Sequence, residues 1–546
     1  MKIDELFTNL RDNKIKDSYY IGKVTQVFSD SVYIQFENLN TSSSRIFLGD
    51  YLRPGKVGEY VVIDDFPCPL VGKIEQIKLK DSDNVHRSLK NTDDEAIYPT
   101  GKIQIIGTVN IIDNEVKVEF DDFKVPELAQ KVYICSNKIT KAIDATLYRK
   151  NPEKSNSISF CNFHDGDKFQ IAVDDLYQQH LMIVGSTNSG KSTSALSIID
   201  ESIKKGVKYL ILDPTGEYSG SFDSYESVEQ YTLGRDLHVE NGYIRMIQWC
   251  NMIGTNSDSQ PATLNKAITG LKIQHQNGED DVYKYVGKEM DAVENEILEF
   301  KNQYENFDIS LLGKQIKEQS VELPKNKGTE YQRSEFKFNT NMYLIDKVNL
   351  IINDNEFMKI FNFVGNKDEN KSLQSVLKEF YSNENSLYIN CSKINNINVM
   401  SVFISILIDT VFSNALEFEE SKSFVFYLDE AHRYMNKKVS KEALTRIARE
   451  GRKYGIFMNL TTQSPNDVPD VLLSQIGTFI IHRLSHNLDI QTMLKYLKED
   501  VGLQYLKQGE AILTSVHLTQ DVKIDVNPCA LPHENDTPSL INEIMS

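Results

Sequence analysis

From Tyr19 to about residue 140 the chain alternates apolar and polar positions in short segments. These are Tyr19–Phe28, Val32–Phe36, Glu59–Asp64, Lys73–Leu79, Ile103–Ile112 and Val116–Phe120, with Gly, Asp, Asn and Ser between them. Alternation places one face of a strand in a core and the other in water, and the intervening residues turn the chain. Residues 1–150 therefore read as a small β-barrel. GKVTQVFSDSVYIQF from Gly22 and GTVNIIDNEVKVEF from Gly107 share one order: glycine, strand, polar turn, second strand, phenylalanine. They are either two similar hairpins of the barrel or two unrelated amphipathic hairpins. The polar stretch 80–100 reads as a long loop.

From Leu181 the texture changes. LMIVG, KYLILD, SLYINC, FVFYLD, GIFMNLTT and GTFIIHR are continuous apolar runs separated by helical patterns. Such runs suit strands of a parallel sheet covered on both faces, which makes the fold class α/β. The sheet is expected over 151–259 and 385–527. Between its second and third runs lies a charged, largely helical stretch, 260–384, too long for a loop and expected as an inserted helical subdomain. Residues 528–546 read as an extended tail with a short terminal helix. The most apolar stretch, Val399–Phe412, carries Ser401, Ser405 and Asp409. It falls short of the roughly 20 apolar residues a bilayer span needs, so it reads as a buried helix and no membrane partner is expected.

A chain of 546 residues exceeds a single core. Its six cysteines are scattered without a CxxC or His/Cys cluster, which points to reduced thiols in a cytoplasm. The first residues, MKIDELFTNLRDNK, lack the apolar core of a signal peptide. A net charge of −18 argues against an outer surface that coats nucleic acid. It leaves open a ring that confines positive charge to a narrow pore.

The chemistry concentrates at the ends of the apolar runs. Gly185-Ser186-Thr187-Asn188-Ser189-Gly190-Lys191-Ser192 fits G-x-x-x-x-G-K-[ST], follows the strand LMIV and opens a helix that includes Thr193. Glycines let main chain wrap phosphates, and amides at a helix start attract negative charge. Lys191 is expected on the β/γ-phosphates of ATP and the Ser192 hydroxyl on Mg²⁺. FVFYL ends in Asp429-Glu430-Ala431-His432. Asp429 suits the Mg²⁺ shell and Glu430 the polarisation of attacking water, as in a Walker B strand; the bland alternative is a helix cap. Gln463, at the tip of GIFMNLTT, is a candidate γ-phosphate sensor or an ordinary turn residue. In KEALTRIAREGRKYG, Arg446, Arg449, Arg452 and Lys453 are either a solvated helix face or a source of an arginine finger for a neighbouring subunit.

In order along the chain, HLMIVGSTNSGKST, LDPTGEYSG, FYLDEAHRYM, RIAREGRKYG, LTTQSP and IGTFIIHRLSHNLD resemble the HerA branch of the HerA/FtsK ATPases. The resemblance implies a RecA-like core, an N-terminal HAS barrel and a homohexamer with double-stranded DNA in its pore. It implies phosphate binding by Gly185–Thr193, Mg²⁺ binding by Ser192 and Asp429, catalysis by Glu430, and Gln463 as sensor. It favours Arg452, then Arg449, as the finger acting in trans. Asp213, Glu217 and Arg483 fall in family blocks without a settled role. Asn188 departs from the family, which often has Gly there. Archaeal members work beside the NurA nuclease. Bacterial relatives accompany antiphage effectors, nucleases or sirtuin-like NADases, and the barrel is the usual docking surface. The expected function is thus a DNA translocase or helicase-like motor serving such an effector. The alternative is an ATP-binding scaffold that regulates the effector without moving DNA.

Overall fold

The computed structural model describes residues 17–532 except 48–49, 66–67, 80–97, 113–114, 120–124, 146–155, 164–165, 256–258, 325–327, 362–370, 419–421, 499–500 and 519. Most of the expected 80–100 loop and the expected terminal helix lie outside the described residues. Two compact units divide the chain: one runs to Pro152 and takes in Val516–Gln520, and the other holds Glu153–Ser515 and the remainder.

The first unit is an antiparallel barrel. Its strands are β1 (Tyr20–Val27), β2 (Ser31–Phe36), β3 (Tyr60–Ile63), β4 (Leu70–Lys78), β5 (Thr100–Ile112), β6 (Glu115–Glu119) and β7 (Lys131–Ile134). They run in the order β2-β1-β7-β3-β4-β5-β6, and β2 also pairs with β5, which closes the barrel. The alternating segments supply the interior: Ile21, Val32, Ile34, Val61, Ile103 and Val109 are all fully buried. Both hairpins read from the sequence form, β1 with β2 and β5 with β6. Strand β7 was not among the expected segments. Nor was the helix Asn137–Ala145, whose Ile139 and Ile143, one turn apart, enter the same core.

The second unit is built on an 11-stranded sheet. Its strands are β8 (Ser157–Phe163), β9 (Lys168–Ala172), β10 (Leu181–Val184), β11 (Lys208–Asp213), β12 (Val228–Thr232), β13 (Ser386–Asn390), β14 (Phe424–Leu428), β15 (Ile456–Thr462), β16 (Thr478–His482), β17 (Glu510–Ser515) and β18 (Val522–Val526). The order is β9-β8-β18-β17-β16-β10-β15-β14-β11-β13-β12. From β16 to β12 every neighbouring pair is parallel. All the continuous apolar runs lie in this stretch, and β10, β11 and β14 are buried at every position. The expected parallel sheet forms, and beyond β16 it is extended by antiparallel strands β17, β18, β8 and β9.

Residues 260–384 fill the crossover between the parallel neighbours β12 and β13. They are helical, as expected, over Met290–Glu299, Glu335–Ile352 and Leu373–Ser382. They are not a body apart, however. Leu264, Leu271, Leu344 and Leu377 share one hydrophobic cluster with Leu210, Ile389 and Leu460 of the sheet. The helix Ile397–Glu417, which contains the apolar stretch Val399–Phe412, is the one helix among the described residues long and apolar enough to cross a bilayer. Over its most apolar 18 residues it is 78% buried inside the protein, and it serves as a core helix.

Register sets the site. Val184 lies level with Thr462 on one side and Ile481 on the other, and Leu428 lies level with Leu460. The carboxyl ends of β10, β14, β15 and β16 therefore emerge at one edge, where α/β proteins place their ligands.

Phe403, fully buried in the core helix, belongs to the cluster that also holds Trp249, the only tryptophan of the chain. Phe403→Ala is expected to destabilise this unit by about 3–5 kcal/mol. The check is a fall in the denaturation midpoint followed by tryptophan fluorescence.

Candidate active site

The P-loop turn leaves the buried strand β10 at Gly185 and enters the helix Lys191–Lys204. Its start is pinned by Gly185 N–H to Thr462 O (3.2 Å) and by Ser186 N–H to Arg483 O (2.9 Å). At the tip, Asn188 has φ 58° and Gly190 φ 114°. Asparagine is one of the few side-chain-bearing residues that adopts the left-handed region readily. The departure from glycine at 188 thus preserves the turn. Among the described residues no group accepts from the amides of Thr187, Asn188, Gly190, Lys191 or Ser192. Uncommitted amides at a helix start suit a phosphate chain.

Asp429 and Glu430 follow β14 directly. Glu430 has φ 47°, a conformation costly for a residue with a Cβ. The neighbouring strand enforces it: the Glu430 amide donates to Thr461 Oγ1 (3.0 Å) and the Ala431 amide to Thr461 O (2.9 Å). The result turns the Glu430 side chain toward the P-loop, where its Oε1 lies 3.5 Å from Lys191 Nζ. Gln463 Nε2 donates to the same oxygen. Gln463 Oε1 in turn accepts from Thr187 Oγ1 at 3.0 Å. Lys191, Glu430, Gln463 and Thr187 thus form one network across three strand ends.

Burial pushes the Glu430 carboxyl up. The approach of His432, the Lys191 ammonium and the Gln463 amide together outweigh it and hold the group down at about 2. His432 Nδ1 stands 3.2 Å from Glu430 Oε2 without hydrogen-bond alignment. Asp429 is the opposite case. Burial, then the Glu430 charge, push its carboxyl up to about 7 against the bond from Thr461. Its oxygens accept from Thr461 Oγ1 (2.5 Å) and lie 3.0 Å from Thr215 Oγ1. Among the described residues no cation pairs with it.

Asp213 closes the LDPTGEYSG loop, its carboxylate accepting from the amides of Thr215 (3.1 Å), Gly216 (2.8 Å) and Tyr218 (3.0 Å) and from the Tyr388 hydroxyl (2.8 Å). Glu217 adds to the charge that raises Asp429. Arg483 acts through its main chain, its carbonyl also accepting from Ser186 Oγ at 2.9 Å.

The remaining expected residues fall elsewhere. Ser192 and Thr193 are half-exposed on the first turn of the P-loop helix, and Ser189 is buried. Arg449 and Arg452 are exposed at the end of the helix Lys438–Glu450 and in the turn before β15, at the opposite edge of the sheet from the P-loop. They do not join the network of their own chain. Arg446 is a packing residue, its guanidinium 4.0 Å from the centre of the Phe412 ring and 3.4 Å from Asp409.

Sequence reasoning passed over Thr461, Thr215 and His432. The first had a signal: Thr461 sits one step past Leu460 on β15 as Asp429 sits one step past Leu428 on β14.

Two family models match in tandem, "Helicase HerA, central domain" over residues 162–409 and "AAA-like domain" over 388–529. A probable DNA double-strand break repair helicase HerA of Methanocaldococcus jannaschii is 22% identical over 520 residues, covering 88% of this chain and 93% of that protein. A probable helicase of the same organism is 22% identical over 494 residues, 86% of each chain. The chain carries the central domain of the HerA-type P-loop ATPases. It is an ATP-hydrolysing enzyme. Among solved structures, VirB4 of Thermoanaerobacter pseudethanolicus aligns over 70% of this chain and 99% of its own, with 12% identity and a TM-score of 0.48.

A hard divalent cation fits this HerA-type site by its donors. Among the described residues no three His, Cys, Asp or Glu side chains gather into a closed cage. A buried carboxylate without a cation and a P-loop hydroxyl are donors of the kind Mg²⁺ uses with phosphates and water. Asp429 and Ser192 would hold it, and when bound it would neutralise phosphate charge.

The Asp429 shift carries a stability prediction. Its folded pKa of about 7 exceeds the ordinary 3.8, so the fold favours the protonated form. That contribution is complete below the ordinary value and is lost as pH rises through about 7. In nucleotide-free protein, Asp429→Asn is expected to flatten the decline in melting temperature between pH 4 and 7. It should also melt above the natural protein at pH 7.5; a lower melting temperature there contradicts the assignment.

Proposed function

We propose that this chain is the ATP-driven motor subunit of a ring that moves double-stranded DNA. The observation that carries the reading is the convergence of Lys191, Glu430 and Gln463 at one edge of the sheet, 3.5 Å apart at the ion pair. ATP takes the uncommitted amides of the P-loop, Lys191 leaves Glu430 for the phosphates, and Ser192 with Asp429 faces Mg²⁺. A carboxylate held near 2 is a weak base. Loss of the ammonium raises its basicity at the moment a water molecule needs activating. Gln463, released from Glu430 in the same step, reports the γ-phosphate.

The exposed position of Arg449 and Arg452, across the sheet from their own P-loop, supports a finger offered to the next subunit of a homohexamer. DNA in the pore is supported by the relatives named as helicases. The barrel is the docking face we assign to an effector, a nuclease or a sirtuin-like NADase, in cytoplasmic antiphage defence. The net charge of −18 favours a second reading, an ATP-binding scaffold that regulates the effector without translocation. Stimulation of ATPase activity separates them: double-stranded DNA stimulates a translocase, and a scaffold responds to the partner protein alone.

Lys191→Ala is expected to abolish nucleotide binding and turnover. Glu430→Gln should retain binding and lose at least about 100-fold in kcat. Activity near that of the natural protein in either variant refutes the site. Mixing Arg452→Ala subunits with Glu430→Gln subunits should restore part of the activity if the finger acts in trans, and no mixture should do so if it acts within one chain.

A further inference from the structure

The underside of the P-loop is formed by residues that none of the nucleotide chemistry above employs. His482 ends β16, beside the P-loop strand, and is fully buried. Its Nδ1 lies 3.0 Å from the Glu510 main-chain carbonyl and its Nε2 2.7 Å from the Ser194 hydroxyl. A carbonyl oxygen only accepts, so Nδ1 carries the proton. Burial and the neighbouring Lys191 charge oppose a second proton, holding the ring near 4 against the bond to Glu510. Nε2 is then a lone pair, and Ser194 donates to it. Ser194 lies in the first turn of the P-loop helix, and its own amide donates to Gly190 O at 3.0 Å.

The two consensus glycines pack on the same histidine side chain. A Cβ at Gly185 would sit 2.7 Å from His482 Cβ, and one at Gly190 would sit 3.3 Å from His482 Cε1 and 3.2 Å from Gly509 N. The Gly509 amide donates to Ser189 O at 3.0 Å. The turn that carries Gly509 is anchored in its own right, by Val526 N–H to Gly509 O (2.9 Å) and by Lys523 to the Glu510 carboxylate (3.1 Å). The antiparallel strands β17 and β18 thus reach the P-loop through one histidine and one main-chain bond.

We propose that His482 is a positioning residue for the nucleotide site: fixed by the Glu510 carbonyl, it holds Ser194 and so sets the first turn of the P-loop helix before nucleotide arrives. Its effect is on pre-organisation, so it acts on affinity for the phosphate chain and leaves the later water attack untouched. The inference rests on the reading of Gly185–Ser192 as the triphosphate cradle.

The test measures KM for ATP, kcat, and the Kd of a fluorescent ADP for the full-length protein. Ser194→Ala and His482→Asn are each expected to raise KM and Kd about tenfold with kcat within about twofold. Asparagine can reproduce the donor at Nδ1 but does not reach Ser194. His482→Gln places an amide oxygen where Nε2 stood and is expected to recover to within about threefold of the natural protein. The double variant Ser194→Ala/His482→Asn should be no worse than His482→Asn, because both remove one interaction. Additive losses in the double variant, a better Asn than Gln, or an unchanged KM in Ser194→Ala overturns the proposal. If the His482 variants do not fold, the tautomer in the natural protein decides. Nitrogen NMR of labelled histidine is expected to show His482 protonated at Nδ1 only, and a proton on Nε2 contradicts the arrangement. Lys191→Ala is the control. Weak binding there with an unaffected Ser194→Ala rejects the histidine alone, whereas no nucleotide binding by the natural protein rejects the cradle and this inference together.

Discussion

The buried pair between Lys191 and Glu430 is the contact on which the rest of the site depends. Both side chains are largely out of water, at 6% and 8% exposure, and each charge there needs the other. Removing one partner of such a pair costs about 3–5 kcal/mol, since the survivor stays buried and unpaired. The ammonium is delivered by a helix that starts at the end of one strand, and the carboxylate by a turn after another. Only the level register of parallel neighbours brings the two within reach. The left-handed turn at Glu430, held by Thr461, is the local strain that this meeting requires. On the proposed reading the pair is also the part that nucleotide undoes: a phosphate chain competes for the ammonium, and the carboxylate is left to act on water.

Around that pair the polar groups divide their work. Asp213 spends its oxygens on loop amides and a tyrosine, which makes it an organiser of the LDPTGEYSG loop. Thr461 serves both acidic residues, donating to the Asp429 carboxylate and accepting from the Glu430 main-chain amide. Asp429 alone is left with hydroxyl partners and no cation, and its raised pKa expresses that deficit. A buried acid in this condition is stable as a neutral group or beside a metal.

The sequence exposed some of this more readily than the rest, for physical reasons. Runs such as KYLILD and FVFYLD announce strands because a doubly covered strand has no polar positions. The P-loop is legible because its amides and ammonium require glycines and a lysine at fixed spacing. The alternating barrel segments are legible for the complementary reason, one wet face. What stayed hidden depends on pairing between distant segments. Strands β8, β9, β17 and β18 carry no continuous apolar run; β17 is buried at every position yet includes Glu510, Thr514 and Ser515. Thr461 and His482 are unremarkable residues until β15 and β16 are laid beside β14 and β10. The helical crossover was legible as helix, but its sharing of one core with the sheet is a property of packing that periodicity does not encode. Asn188 reads in the sequence only as a departure from the family's usual glycine; that the turn needs a positive φ there appears in the fold alone.

The central claim is that a triphosphate and Glu430 compete for one ammonium. A structure of the protein with a non-hydrolysable ATP analogue and Mg²⁺ tests it directly. The account predicts Lys191 Nζ on the β- and γ-phosphate oxygens and the Glu430 carboxylate released from it. Nucleotide bound away from Gly185–Ser192, or bound there with the Lys191–Glu430 pair intact, contradicts it.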